Sequence, residues 1–201
     1  MRQVHTHLMR SNIRSKPHKK NNTRAMKRFA TLLFTLTLCL FTFAGNPIKI
    51  VTGKTAIKGI LSENATAVMQ FDWTCATYDG KCSIGEELGE DAAFVVNDCQ
   101  NKFVTGFNTK SKGLKLCEQS DGAKYKVLLT VTKMDCFFAA MSFVPRHEGK
   151  MWGKIAITSA ETGETLFEAN IDEAEDGQDM VRKECFGKTF ELLGEKVAKL
   201  K

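Results

Sequence analysis

The stretch YKVLLTVTKMD, Tyr125 to Asp135, decides the fold. In an extended chain Tyr125, Val127, Leu129 and Val131 fall on one face and Lys126, Thr130 and Thr132 on the other, with Leu128 and Met134 breaking the alternation. A strand this rich in β-branched residues and apolar on one side needs a neighbour at each edge and helices over its apolar face. The flanking sequence supplies them. Residues 66–75 (TAVMQFDWTC) alternate as cleanly, with Ala67, Met69, Phe71, Trp73 and Cys75 on one face, and Tyr78-Asp79-Gly80-Lys81 reads as a turn. Residues 151–159 (MWGKIAITS) and 164–172 (ETLFEANID) read as a hairpin whose turn places Gly163 at a left-handed position. Shorter runs at 48–51 and 55–61, broken by Gly53 and Gly59, read as weak opening strands or a lead-in segment.

Two helical stripes complete the pattern. Ala92, Val95, Val96, Cys99, Phe103, Val104 and Phe107 recur at three- and four-residue spacing, with Glu86, Glu87, Glu90 and Asp91 ahead of them and Lys110, Lys112 and Gly113 behind. Val181, Cys185, Phe186, Phe190, Leu193, Val197 and Leu200 mark a last helix over about 177–200. The expected fold is α+β: a two-layer sandwich of a mainly antiparallel sheet with two helices packed on one face, in a single domain over 45–201.

The net charge of +6 misleads, because nine of the 29 Lys and Arg residues fall in positions 1–44, where there is no Asp or Glu. The remainder is mildly acidic, which removes the main support for nucleic-acid binding. Met26-Lys27-Arg28 followed by the apolar run 29–44 (FATLLFTLTLCLFTFA) reads as a secretory signal with a cut before Gly45. Residues 1–25 are polar and unpatterned, as expected of a start assigned upstream of a true start at Met26 or, alternatively, of an unusually long n-region. Cys39 is preceded by Leu38 and sits inside the apolar run, so it does not make a lipid-attachment motif.

With the leader, the 66–75 strand, the helix, the Tyr-Lys-Val-Leu-Leu-Thr-Val strand, the Thr162-Gly163-Glu164 hairpin and a final helix carrying Arg182, Phe186 and Leu193 in place, the chain resembles small exported envelope proteins of Bacteroidetes. The layout is similar to auxiliary lipoproteins of outer-membrane ABC transporters, the curli-secretion lipoprotein and the first domain of the Tol system's propeller protein. That resemblance implies an α+β envelope domain that binds other macromolecules, and it brings no catalytic residue. Leu38 departs from the lipoprotein members.

Motifs that would carry chemistry fail on inspection. Gly187-Lys188-Thr189 and Gly53-Lys54-Thr55 lack the earlier glycine of a phosphate-binding loop; Arg182 and Ile48 stand there instead. The acidic run 172–179 (DEAEDGQD) places Ala174 and Lys183 where a calcium loop needs oxygen ligands, and reads as an acidic turn with Asp176 or Asp179 capping the last helix. Past the leader, His147 stands alone, with no nucleophile signature around any cysteine and no Cys-x-x-Cys pair for zinc. No cofactor or metal is expected. Cys75 and Cys82 flank the 78–81 turn and are the expected disulfide, while Cys99 and Cys185 sit on apolar stripes as small buried hydrophobes.

The segment 136–150 (CFFAAMSFVPRHEGK) is apolar where a connection should be polar. It reads either as sheet that continues or as an apolar loop: Phe137, Phe138, Met141 and Phe143, rimmed by Arg146 and His147, would then contact a partner protein or the membrane surface. The functional expectation is an exported, non-enzymatic binding or assembly protein of the periplasm or outer membrane. The competing one is an exported hydrolase acting on an envelope or glycan substrate through carboxylates.

Overall fold

Strand β6, Tyr125–Ala139, lies near the middle of an eight-stranded sheet in the order β1 (Ile48–Thr52), β8 (Thr165–Asp179), β7 (Arg146–Ser159), β6, β2 (Thr66–Asp72), β5 (Lys115–Cys117). The computed structural model describes residues 46–119, 121–139 and 146–201; the expected leader, Cys39 included, and residues 140–145 lie outside the described residues. Along β6 the side chains of Tyr125, Val127, Leu129 and Val131 are buried, as the alternation requires. The register then slips: Val131 pairs with Gly153 but Lys133 with Trp152, so Thr132 bulges out and the phase inverts. Met134 is therefore buried with the first four, which accounts for its break in the pattern, while Leu128 remains partly exposed on the opposite face.

The antiparallel part of the sheet is β6, β7 (Arg146–Ser159), β8 (Thr165–Asp179) and β1 (Ile48–Thr52). Gly163 closes the β7–β8 turn at φ 73°, its N–H donating to the Ser159 carbonyl at 3.0 Å. On the other side of β6, β2 (Thr66–Asp72) runs parallel to it, and β5 (Lys115–Cys117) runs parallel to β2. β5 is too short to read from sequence. Its edge is held by a side chain: Asn108 accepts from Leu116 N–H at 2.8 Å and donates to the Leu116 carbonyl at 2.9 Å. A small hairpin, β3 (Thr77–Tyr78) and β4 (Cys82–Ser83), joins β6 just past the bulge, at Lys133 and Met134.

Four α-helices, and a 3₁₀ turn at Gly89–Asp91, are present among the described residues. α1, Ile57–Ser62, replaces the weak second strand expected at 55–61; Ile57, Ile60 and Leu61 share the buried side at helical spacing. α2, Ile84–Leu88, starts with a reciprocal cap between Ser83 and Glu86. α3, Ala92–Lys110, buries Val95, Cys99, Phe103 and Phe107, and α4, Arg182–Val197, buries Cys185, Phe186, Phe190, Leu193 and Val197. These two long helices cross where Gly106 meets Glu191 and Gly194 meets Phe103, and a Cβ at either glycine would overlap the facing backbone. The mixed α+β architecture follows the sequence pattern. Helix and strand apolar faces share one core, in which Trp73 stacks on Phe190 at 5.6 Å.

The acidic run corrects one expectation. Residues 172–179 are not a turn before the last helix; they are strand, the end of β8, which bulges on either side of Ala174 and carries Glu173 at φ 55°. The bulges let acidic residues interrupt the apolar alternation while Ala174 stays in the core. α4 starts at Arg182, with Val181 as its cap residue, and Asp179 instead accepts from Val181 N–H at 3.0 Å to turn the chain.

Candidate functional site: a thiol–imidazole cluster where the hairpin meets the last helix

The expected 136–150 connection is mostly sheet. Phe137, Phe138 and Ala139 pair with Glu148, His147 and Arg146, so the β6–β7 ladder runs on through the apolar segment. Aromatic residues suit a pleated ladder, and β7 satisfies their backbone groups in a way a loop could not. Arg146 is exposed at the start of β7. Met141 and Phe143 lie outside the described residues.

Pairing through this segment brings together what the sequence keeps apart. After the bulge, Cys136 and Phe138 point to the side that carries the helices, and so does His147 from β7. The Cys136 Sγ lies 3.8 Å from His147 Nδ1 and 3.4 Å from the Sγ of Cys185, on the first turn of α4. Phe138 meets the His147 ring edge-on at 5.6 Å. Cys185 is fully buried, and its one S–H is shared between Cys136 and the Arg182 carbonyl at 2.8 Å. The Arg182 guanidinium donates to Tyr78 Oη at 2.8 Å and pairs with Glu87, while the Tyr78 ring packs edge-on against Phe186. β3, α2, β6, β7 and α4 thus converge on one spot.

The helix docks closely here. Thr189 Oγ1 shares its proton between the Gly149 carbonyl at 2.9 Å and the Cys185 carbonyl at 3.0 Å, and no side chain would fit at Gly149 or Gly177 beneath it. Cys185 is therefore fixed against the sheet by its own backbone.

The electrostatics divide the two thiols. The hydrogen bond from Cys185 and the neighbouring His147 and Arg182 lower Cys136 to about 7, against the opposing effect of its partial burial. Cys185 moves far up, because it is the donor to Cys136 and is desolvated. One proton stays on Cys185 while the other leaves Cys136 near neutrality. Carboxylates behave otherwise: Glu63, Asp72, Asp79 and Glu86 are all shifted down by hydrogen bonds, the opposite of what a carboxyl general acid needs.

Cys75 is exposed, Cys82 is half-buried, and the two are free thiols not joined to each other. Among the described residues no group of three or more His, Cys, Asp and Glu side chains is arranged to hold a metal ion, and no helix is long and apolar enough to cross a membrane. The Cys136–His147 proximity was open to sequence reasoning only if the strand was extended through Phe137 and Phe138, which sets both residues on one face. Nothing in the sequence signals Cys185 as the third member, because its place depends on how α4 docks.

Comparison with solved structures finds similarity to two crystal forms of the PelC dodecamer from Paraburkholderia phytofirmans, one of them a point variant. Both have TM-score 0.37, with 8% and 11% identity, and cover 76% of this chain and 98% and 96% of those chains. A likeness this loose says nothing of what the chain binds. No family model and no curated protein sequence matches the chain.

Proposed function

We propose that this chain is an exported protein of the cell envelope, periplasmic or associated with the outer membrane, that works by binding a protein partner rather than by catalysis. The observation that carries this reading is the sheet end where α4 begins. Phe138 is 55% exposed, Met180 69% and Val181 42%, and Phe137 adds a fourth apolar side chain on the opposite face of β6. Large apolar groups gathered at one end of a soluble domain mark an interaction surface. The apolar leader read from 29–44 supports export, and the lowered carboxyls give the carboxylate hydrolase no support.

Cross-linking and pull-down from envelope extracts test the reading, comparing the parent with the double variant Phe138→Ser, Met180→Ser. The expected result is an unchanged melting temperature and loss of a stoichiometric partner that survives washing with the parent. A stable double variant that retains the partner overturns the assignment to this surface. Capture by protein-free lipid vesicles in place of a protein would show a membrane contact and overturn the protein partner. Mass spectrometry of the exported protein should find a start near Gly45; an intact leader, or lipid on Cys39, overturns that part.

A further inference from the structure

We propose that Cys136 and Cys185 are a redox-active dithiol, with Cys136 the attacking sulfur and Cys185 the resolving one, and that they close to a disulfide tying β6 to α4. The geometry comes first. The two sulfurs are already 3.4 Å apart, so a bond of about 2.05 Å requires an approach of only about 1.4 Å. The two are unequal in access: Cys136 is half-buried, Cys185 fully buried. An incoming reagent therefore meets Cys136 first.

The surroundings favour the same order. His147 from β7, Arg182 from α4 and the buried Cys185 thiol all stabilise a thiolate on Cys136. Asp179 from β8 and Cys99 from α3 oppose a charge on Cys185. Tyr78 from β3 and Glu87 from α2 hold Arg182 in place. Cys185 keeps its proton until a neighbouring sulfur can accept the attack.

The exchange balances with a disulfide oxidant such as oxidised glutathione. The Cys136 thiolate attacks one sulfur of the oxidant, a mixed disulfide forms, and one glutathione leaves as thiolate. Cys185 then loses its proton to water and attacks the Cys136 sulfur; the second glutathione leaves. Two protein thiols are oxidised and one small disulfide is reduced to two thiols. The product fixes the outer part of β6 to the first turn of α4, next to the exposed Phe138 and Val181. Oxidation state thus acts on the surface proposed for binding, although the dithiol chemistry does not depend on that proposal.

The test uses the full chain equilibrated in glutathione buffers of increasing oxidation, trapped by alkylation and mapped as peptides. The expected product joins Cys136 to Cys185 and raises the melting temperature by about 5–10 °C. In Cys185→Ser, glutathione should remain as an adduct on Cys136; in Cys136→Ser, Cys185 should take none. Both variants should melt near the reduced parent, which shows that folding is intact. The proposal fails if Cys136 and Cys185 stay free where the exposed Cys75 is already modified, or if the only bridge formed is Cys75 to Cys82. An adduct on Cys185 in preference to Cys136 overturns the order of attack.

Discussion

Leu129 and Phe138 stand on the same strand and face the same side of the sheet, yet Leu129 is 0% exposed and Phe138 55%. Between them lies the bulge at Thr132. Before it, every inward residue of β6 meets core: Tyr125, Val127, Leu129 and Val131 pack among residues of β7, β8 and the two long helices. Beyond Met134, the inward residues are Cys136, which meets a thiol and an imidazole, and Phe138, which meets His147 and solvent. The difference teaches that an apolar residue on a strand has no fixed meaning. What decides it is whether a helix covers that part of the sheet.

Leu129→Asp should have the largest effect. A carboxylate with no partner in that core costs several kcal/mol, on the order of the whole stability of a domain, so the cooperative thermal transition should vanish. A variant that melts near the parent would mean the inner part of β6 is not the core. Met134→Ala comes next, at about 2–5 kcal/mol, because Met134 is fully buried just past the bulge. Measured by urea denaturation, a cost under about 1 kcal/mol would show that the core ends at the bulge itself rather than beyond it.

Phe138→Ser alone should change stability by no more than about 0.5 kcal/mol, as expected of a mostly exposed side chain. A loss comparable to Met134→Ala would erase the distinction between the two parts of the strand. The smallest effect is one of reactivity. The rate at which iodoacetamide modifies Cys136 should rise with pH around a midpoint of about 7, well below the ordinary thiol value. The sign follows from the cause: a thiolate favoured by Cys185, His147 and Arg182 persists to lower pH. Cys185→Ala removes the principal donor and should move the midpoint upward; an unmoved midpoint would assign the shift to His147 and Arg182 alone.

The core of this fold is legible in the sequence because burial imposes a period on it. The alternation in 66–72, 125–131 and 151–159 and the stripe from Val95 to Phe107 all record which side chains meet one another. The period gives no guide where it is cut short or where distant contacts decide. α1 is so short that Ile57, Ile60 and Leu61 around Gly59 pass for a broken strand. β5 depends on Asn108 from another element, and the end of β8 hides its pairing under a run of acids. The site was legible only in part. Phe137, Phe138 and His147 stood out in the sequence, on a segment that reads either as continuing sheet or as a loop; the dithiol did not, since Cys136 and Cys185 are brought together by the docking of α4 through Thr189.

The bulge at Thr132 also sets what insertions and deletions can do to this protein. In an ordinary strand, losing one residue inverts every side chain beyond the cut. Here one surplus residue already separates Val131 from Lys133. Deleting Thr132 would remove that surplus residue and leave an unbroken ladder, with Val131 opposite Gly153 and Lys133 opposite Trp152, so Met134, Cys136 and Phe138 would keep the face that carries the helices. The joint can thus absorb the loss of one residue without exchanging the faces of the outer end or disturbing the core on its other side. Lineages that lose it would keep both the scaffold and the working face.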